Sequence, residues 1–150
     1  MSIHNVLVAL DFSEHSRAVF DGAVAQAKAF GAQLHLAHAF EVLIYRGVRY
    51  DELLSNETVD SAEEKAKAQL GEFLADAEKQ GVKCESHFLE GEARNVLPRA
   101  ASDLSTDLIV LGSHGQSGLR HLLIGSVTEH VIRHAPCSVL VIHLPEANRR

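Results

Sequence analysis

The chain has little cysteine, no run of basic residues and no long apolar stretch, and each absence removes a class of function. Cys84 and Cys137 are its two cysteines. Two thiols build no disulfide framework, and these do not form the closely spaced pair that binds a metal. Both are expected to be reduced and mostly buried. No cluster of Lys or Arg stands out, and 20 acidic against 14 basic residues leave a net charge of −6. Nucleic acid and anionic membranes both call for a basic surface, so neither is expected as a partner. The opening MSIHNVLVALDF carries an apolar run of five residues, too short for a secretion signal or a membrane span. A cytoplasmic location is therefore expected. Internal repeats and low-complexity tracts are also missing.

What remains is ordinary globular material. At 150 residues, 46% hydrophobic and 23% charged, the chain suits one domain, 1–150, with a single sizeable core. Strand and helix patterns alternate along it. VLVAL (6–10) is a short continuous apolar run, as in a strand buried on both faces of a parallel sheet. Ser13 or Ser16 can cap the helix that follows. Phe20, Ala23, Val24, Ala27 and Phe30 give that helix its apolar stripe, and Gly31 stops it. LHLAHAF (34–40) is a second strand, and 41–56 an irregular loop. A long amphipathic helix over 57–80 carries Val59, Ala62, Ala66, Leu70, Phe73, Leu74 and Ala77 on one face. Strands are predicted at 82–89, 107–112 and 138–144, with helices near 93–105 and over 126–134. Pro98 is expected to bend the third helix or delay its start. Five strands alternating with four helices imply a doubly wound, Rossmann-like parallel α/β domain, with helices on both faces. Ligands of such sheets bind beyond the carboxyl ends of the strands.

GSHGQSGLRHLLIGS (112–126) begins where the clearest buried strand ends, and places four of the chain's ten glycines within fourteen residues. Glycine permits positive φ and close backbone approach, and a helix start offers N–H groups with partial positive charge. Together they make an anion site, for which phosphate is the common occupant. The spacing is neither that of a P-loop nor that of a dinucleotide fingerprint. It is G-x-x-G, nine residues, then G-S.

That spacing, at Gly112, Gly115, Gly125 and Ser126, resembles the ATP-binding signature G-x-x-G-x9-G-[ST] of the universal stress protein family. VLVALDFSEHS looks like the family's first strand and its terminal aspartate, LHLAHAF like its second strand. TDLIVLGSHGQSGLRHLLIGSVTEHVIRHAPCSVLVI is close to its C-terminal half. The resemblance implies a sheet of order 3-2-1-4-5, a homodimer, and ATP or another adenine nucleotide above strands 1 and 4. Carried over by position, Asp11 would meet the ribose or a nucleotide-bound Mg²⁺ or Mn²⁺. Ala9 and Ala39 would line the adenine, and Leu111 with Gly112 would flank the ribose. Gly115, Gly125, Ser126 and Val127 would cradle the phosphates; His114 falls where members of the family vary.

Plainer readings stand beside these. Ser126-Val127-Thr128-Glu129 is a capping box that needs no ligand, and Asp11 could simply start a turn or cap a helix. His130 and His134 are spaced i, i+4 but lack the other residues of a zinc motif, so a solvated helix face is expected. His38 reads as a hydrogen-bonded core histidine. The strand at 138–144 would be an apolar edge, which pairing with a second copy would cover.

Nothing in the loop's vicinity looks built for fast phosphoryl transfer. All five lysines precede residue 84, and Arg120 is the one fixed cation in 112–126. No G-x-S-x-G nucleophile elbow occurs. A regulatory stress-response protein that holds adenine nucleotide is the leading reading. The alternatives are a weak Mg-dependent ATPase and a nucleotide-free interaction module, and a cyclic nucleotide could also occupy the cleft.

Overall fold

A computed structural model describes residues 1–42, 56–114 and 124–143. Five strands, β1 (Asn5–Ala9), β2 (Gln33–Phe40), β3 (Cys84–Glu90), β4 (Leu108–Gly112) and β5 (Ser138–Ile142), alternate with four helices. The helices are α1 (Ser16–Phe30), α2 (Asn56–Lys79), α3 (Ala93–Asp103) and α4 (Ser126–His134). The sheet runs in the order β3-β2-β1-β4-β5. Every pairing is parallel, with Val6 opposite Leu34 on one side and Leu108 on the other. This is the order that the resemblance implied.

The continuous apolar run of β1 follows from its central place. Val6, Leu7 and Val8 all have zero exposure, because alternate side chains enter different cores. Val6 and Val8 join Leu34, Leu36 and Val110 beneath α1 and α2, where Phe20 is the largest side chain wholly buried. Burial of a ring of that size stabilises the fold by roughly 1.5–3 kcal/mol. Leu7 faces the opposite way, with Ile109 and Leu111, beneath Leu97 and Ala101 of α3 and Val131 of α4.

Several local expectations change. Phe30 completes the helical spacing of α1 yet is 49% exposed, because it lies in the last turn, beyond the sheet's edge of contact. Gly31 then closes α1 at φ 62°, with its N–H on the Lys28 carbonyl. Neither Ser13 nor Ser16 is the N-cap: His15 holds that position, and Ser16 is buried. α3 begins at Ala93 and runs through Pro98 without a delayed start. Gly22 serves packing: a Cβ there would sit 2.7 Å from Cδ1 of Ile142, so α1 lies directly against β5.

Candidate functional site

The order of the strands reverses at β1, which has β2 on one side and β4 on the other. The loops that leave their carboxyl ends diverge there and open a cleft. Its volume is about 440 Å³. Ala9 and Asp11 reach it from β1, Ala39 from β2, and Leu111, Gly112 and His114 from β4. Gly125, Ser126 and Val127 complete it at the start of α4. These are nine of the ten residues predicted from the sequence; the tenth, Gly115, lies outside the described residues, as do Gly118, Arg120 and His121.

Asp11 is held by the turn it starts. Its Oδ1 accepts the Ser13 N–H at 3.0 Å and the Ser16 hydroxyl at 3.0 Å, a side-chain turn of the kind aspartate forms readily. The turn-forming reading of Asp11 is therefore realised, and it fixes the carboxylate at the cleft wall. Phe12, the next residue, adopts φ 59°, a conformation that costs a non-glycine residue about 1–3 kcal/mol. Its ring stacks on His38 with centroids 4.2 Å apart, which offsets part of that cost. His38 Nδ1 donates to the Leu10 carbonyl at 2.7 Å. Burial lowers the His38 pKa below its ordinary value, against the opposing pull of that carbonyl and of Asp11. A buried, hydrogen-bonded histidine is what the sequence led us to expect.

The glycine loop has a tightly closed stem. The Ser113 N–H donates to Ile142 in β5 at 2.9 Å, and the Gly125 N–H donates to the Ser113 carbonyl at 2.7 Å. The buried Thr128 hydroxyl donates to the Gly112 carbonyl at 2.8 Å. The departing and returning backbone are thus clasped at 113 and 125. Gly125, in extended conformation, is the N-cap of α4, and its carbonyl accepts the Glu129 N–H. The capping box expected of Ser126 is not the geometry formed, since Ser126 is the first helical residue rather than the cap. Position 125 has no side chain to cover the first turn, and Ser126, Val127 and Thr128 line the cleft. Such a helix start attracts anions through its partial positive charge.

Among the described residues lining the cleft there is no Lys or Arg; the carboxylates are Asp11 and Glu41. Sequence reading named Ser16 and Thr128 only in connection with helix caps and did not place them in the cleft. Thr128 had one signal, its place two residues after the G-S step; Ser16 becomes visible only through the turn at Asp11. His130 and His134 stack ring on ring at 4.0 Å, with His134 exposed and bonded to its own helix. Both cysteines are free and half-buried rather than mostly buried. Burial, with Glu78 nearby, pushes the Cys84 thiol up to about 12. No helix among the described residues is long and apolar enough to cross a membrane.

The chain resembles a Staphylococcus epidermidis protein named as a universal stress protein, at 32% identity over 149 residues, covering 97% of this chain and 87% of that one. Among solved structures, the universal stress protein UspA from Lactobacillus plantarum superimposes with a TM-score of 0.83 at 27% identity, over 95% of this chain and 99% of that one. A universal stress protein solved in complex with cAMP matches at a TM-score of 0.72 and 26% identity, over 95% and 98% of the two chains. The model of the universal stress protein family matches residues 2–143, and the chain belongs to that family.

Proposed function

We propose that the protein is a nucleotide-holding regulator: it binds ATP, with Mg²⁺ or Mn²⁺, in the cleft at the carboxyl ends of β1 and β4. The observation that carries this reading is convergence. Residues chosen from four separate stretches of sequence line one cleft at the start of α4, whose N-cap is a glycine. Phosphates would lie against the amides of Ser126 and Val127 and against Gly115, with adenine between Ala9 and Ala39. Leu111 and Gly112 would flank the ribose, and His114 would border the site. A divalent ion carried by the triphosphate would sit toward Asp11 and offset repulsion between phosphate and carboxylate. The cleft's lack of a described Lys or Arg favours holding over turnover, since phosphoryl transfer needs positive charge at the γ-phosphate.

The neighbour solved with cAMP supports adenine recognition and makes the ligand itself the variable to test. Calorimetric titration of ATP with Mg²⁺ into protein stripped of nucleotide is expected to give micromolar binding, and Gly115→Val to abolish it. Retained affinity in that variant would remove the phosphate cradle from the model. Tighter binding of cAMP than of ATP would replace the triphosphate reading by a cyclic-nucleotide one.

The same proposal includes a homodimer through β5. Val139 to Ile142 are only partly covered, and β5 has β4 on one side alone. Antiparallel pairing with β5 of a second copy would cover this edge. Val141→Glu is expected to give monomers in analytical ultracentrifugation; an unchanged dimer would move the interface elsewhere.

A further inference from the structure

The other face of the sheet carries a cluster that the cleft does not use. His35 lies on β2, opposite Glu85 in the register, and His87 follows two residues later on the edge strand β3. Strand alternation therefore sends all three side chains to one face, where α3 and α4 cover the middle of the sheet and leave its β3 edge open. His35 Nδ1 lies 3.0 Å from His87 Nε2 and 3.8 Å from Glu85 Oε2. The three ligand atoms fall within 4.8 Å of one another.

We propose that His35, Glu85 and His87 form a site for a divalent transition-metal ion, zinc first among them, that ties β3 to β2. Ligand atoms about 2.0–2.2 Å from a tetrahedral zinc stand about 3.4 Å apart, and the two measured separations bracket that value. Two imidazoles with one carboxylate suit zinc and its neighbours in the first transition row, not Mg²⁺ or Ca²⁺, which prefer oxygen.

The layer behind the ligands is also in place. His35 Nε2 is 3.2 Å from Asn5 Oδ1, while Asn5 Nδ2 donates to the Ser105 carbonyl. That second bond fixes which way the amide points, so His35 Nε2–H donates to Asn5 and the Nδ1 lone pair faces Glu85 and His87. Metal-bound histidines are oriented in this manner by the hydrogen bond of their other nitrogen. Without metal, His87 Nε2–H donates to His35 Nδ1; with metal, His87 carries its proton on Nδ1 and both lone pairs meet the ion. Burial lowers the pKa of both rings below the ordinary value. His35 is 4% exposed, while the Glu85 side chain is 56% exposed. The ion would thus be anchored on the buried side and keep a coordination position open to water. No residue of the cluster lines the cleft, so the inference is independent of nucleotide binding.

The test is titration of Zn²⁺ alone into untagged full-length protein, by calorimetry and by thermal unfolding. One ion per chain should bind and raise the melting temperature. His87→Gln, at the half-buried edge, should weaken binding more than the about 10–100-fold that loss of an orienting partner costs, and Asn5→Ala should fall within that range. Glu85→Gln, an exposed change that spares the fold, should weaken binding about tenfold. Paired substitution of His130 and His134 should leave it unchanged. Absence of stoichiometric binding, full affinity in both His87→Gln and Glu85→Gln, or loss confined to the His130 and His134 variant would each overturn the site.

Discussion

The two ends of the sheet are built on opposite terms. At the amino end, side chains satisfy the backbone: Asp107 Oδ2 accepts the N–H groups of His4 and Asn5 at 2.7 and 3.0 Å, and Asn5 in turn holds Ser105 and His35. At the carboxyl end, side chains shape a gap instead. Asp11 folds its own turn, Thr128 clamps the loop stem, and the start of α4 faces the cleft with a glycine as its cap. At one rim Asp107 and Asn5 tie neighbouring backbone together; at the other the side chains border an open cleft. A parallel sheet imposes this polarity, because all its strands point the same way.

The contrast can be broken most strongly at Thr128. Thr128→Val preserves shape but leaves the half-buried Gly112 carbonyl without this donor, at a cost toward the lower end of about 1–3 kcal/mol. Chemical denaturation should register that loss together with weaker nucleotide binding, because the stem of the loop loosens. Unchanged stability would mean that the clasp between Ser113 and Gly125 suffices. Next in size is Asp11→Asn, which retains an Oδ1 acceptor for Ser13 and Ser16 and removes only the charge. Its melting temperature should match that of the parent chain, while affinity for Mg-ATP should fall about tenfold, or about 1.4 kcal/mol. A drop in melting temperature without loss of affinity would assign Asp11 to the turn alone.

The smallest effects concern pH, and they separate the two kinds of group. His35, His38 and His87 have folded pKa values lowered mainly by burial, so the unfolded chain takes up protons first. Their contribution is intact above the ordinary value of 6.5 and is lost as pH falls below it. Asp107 is lowered by the His4 and Asn5 amides, so its contribution is intact above its ordinary 3.8 and is lost as pH falls further. Urea unfolding at a series of pH values should show both windows. His87→Gln should shrink the upper one and Asp107→Asn the lower one; coincident changes would show that the groups do not titrate separately.

Much of this was legible in the sequence. VLVAL and DLIVLG had the unbroken apolar character of strands between two helical layers, and α4 was read to its observed limits at 126 and 134. The order of the strands came from the resemblance, since periodicity says which face is buried but not which strand lies beside which. The residues of the cleft were recoverable because they sit at strand ends or within a motif of fixed spacing. Phe30 misled because helical spacing continues past the point where the sheet stops. The His35, Glu85 and His87 cluster was illegible for a different reason: about fifty residues separate its parts, and only the register of β2 on β3 joins them.

The contact between Gly22 and Ile142 has a mechanical consequence. α1 starts at the turn that Asp11 holds, and its backbone rests on the side chain of a β5 residue with no side chain of its own between them. Interiors packed this closely yield little, and a helix without an intervening rotamer has nothing to absorb a displacement. α1 therefore links the turn at Asp11 to the side chain of Ile142 on the outermost strand of the sheet. Enlarging Gly22 to alanine would wedge the two apart and test how stiff that link is.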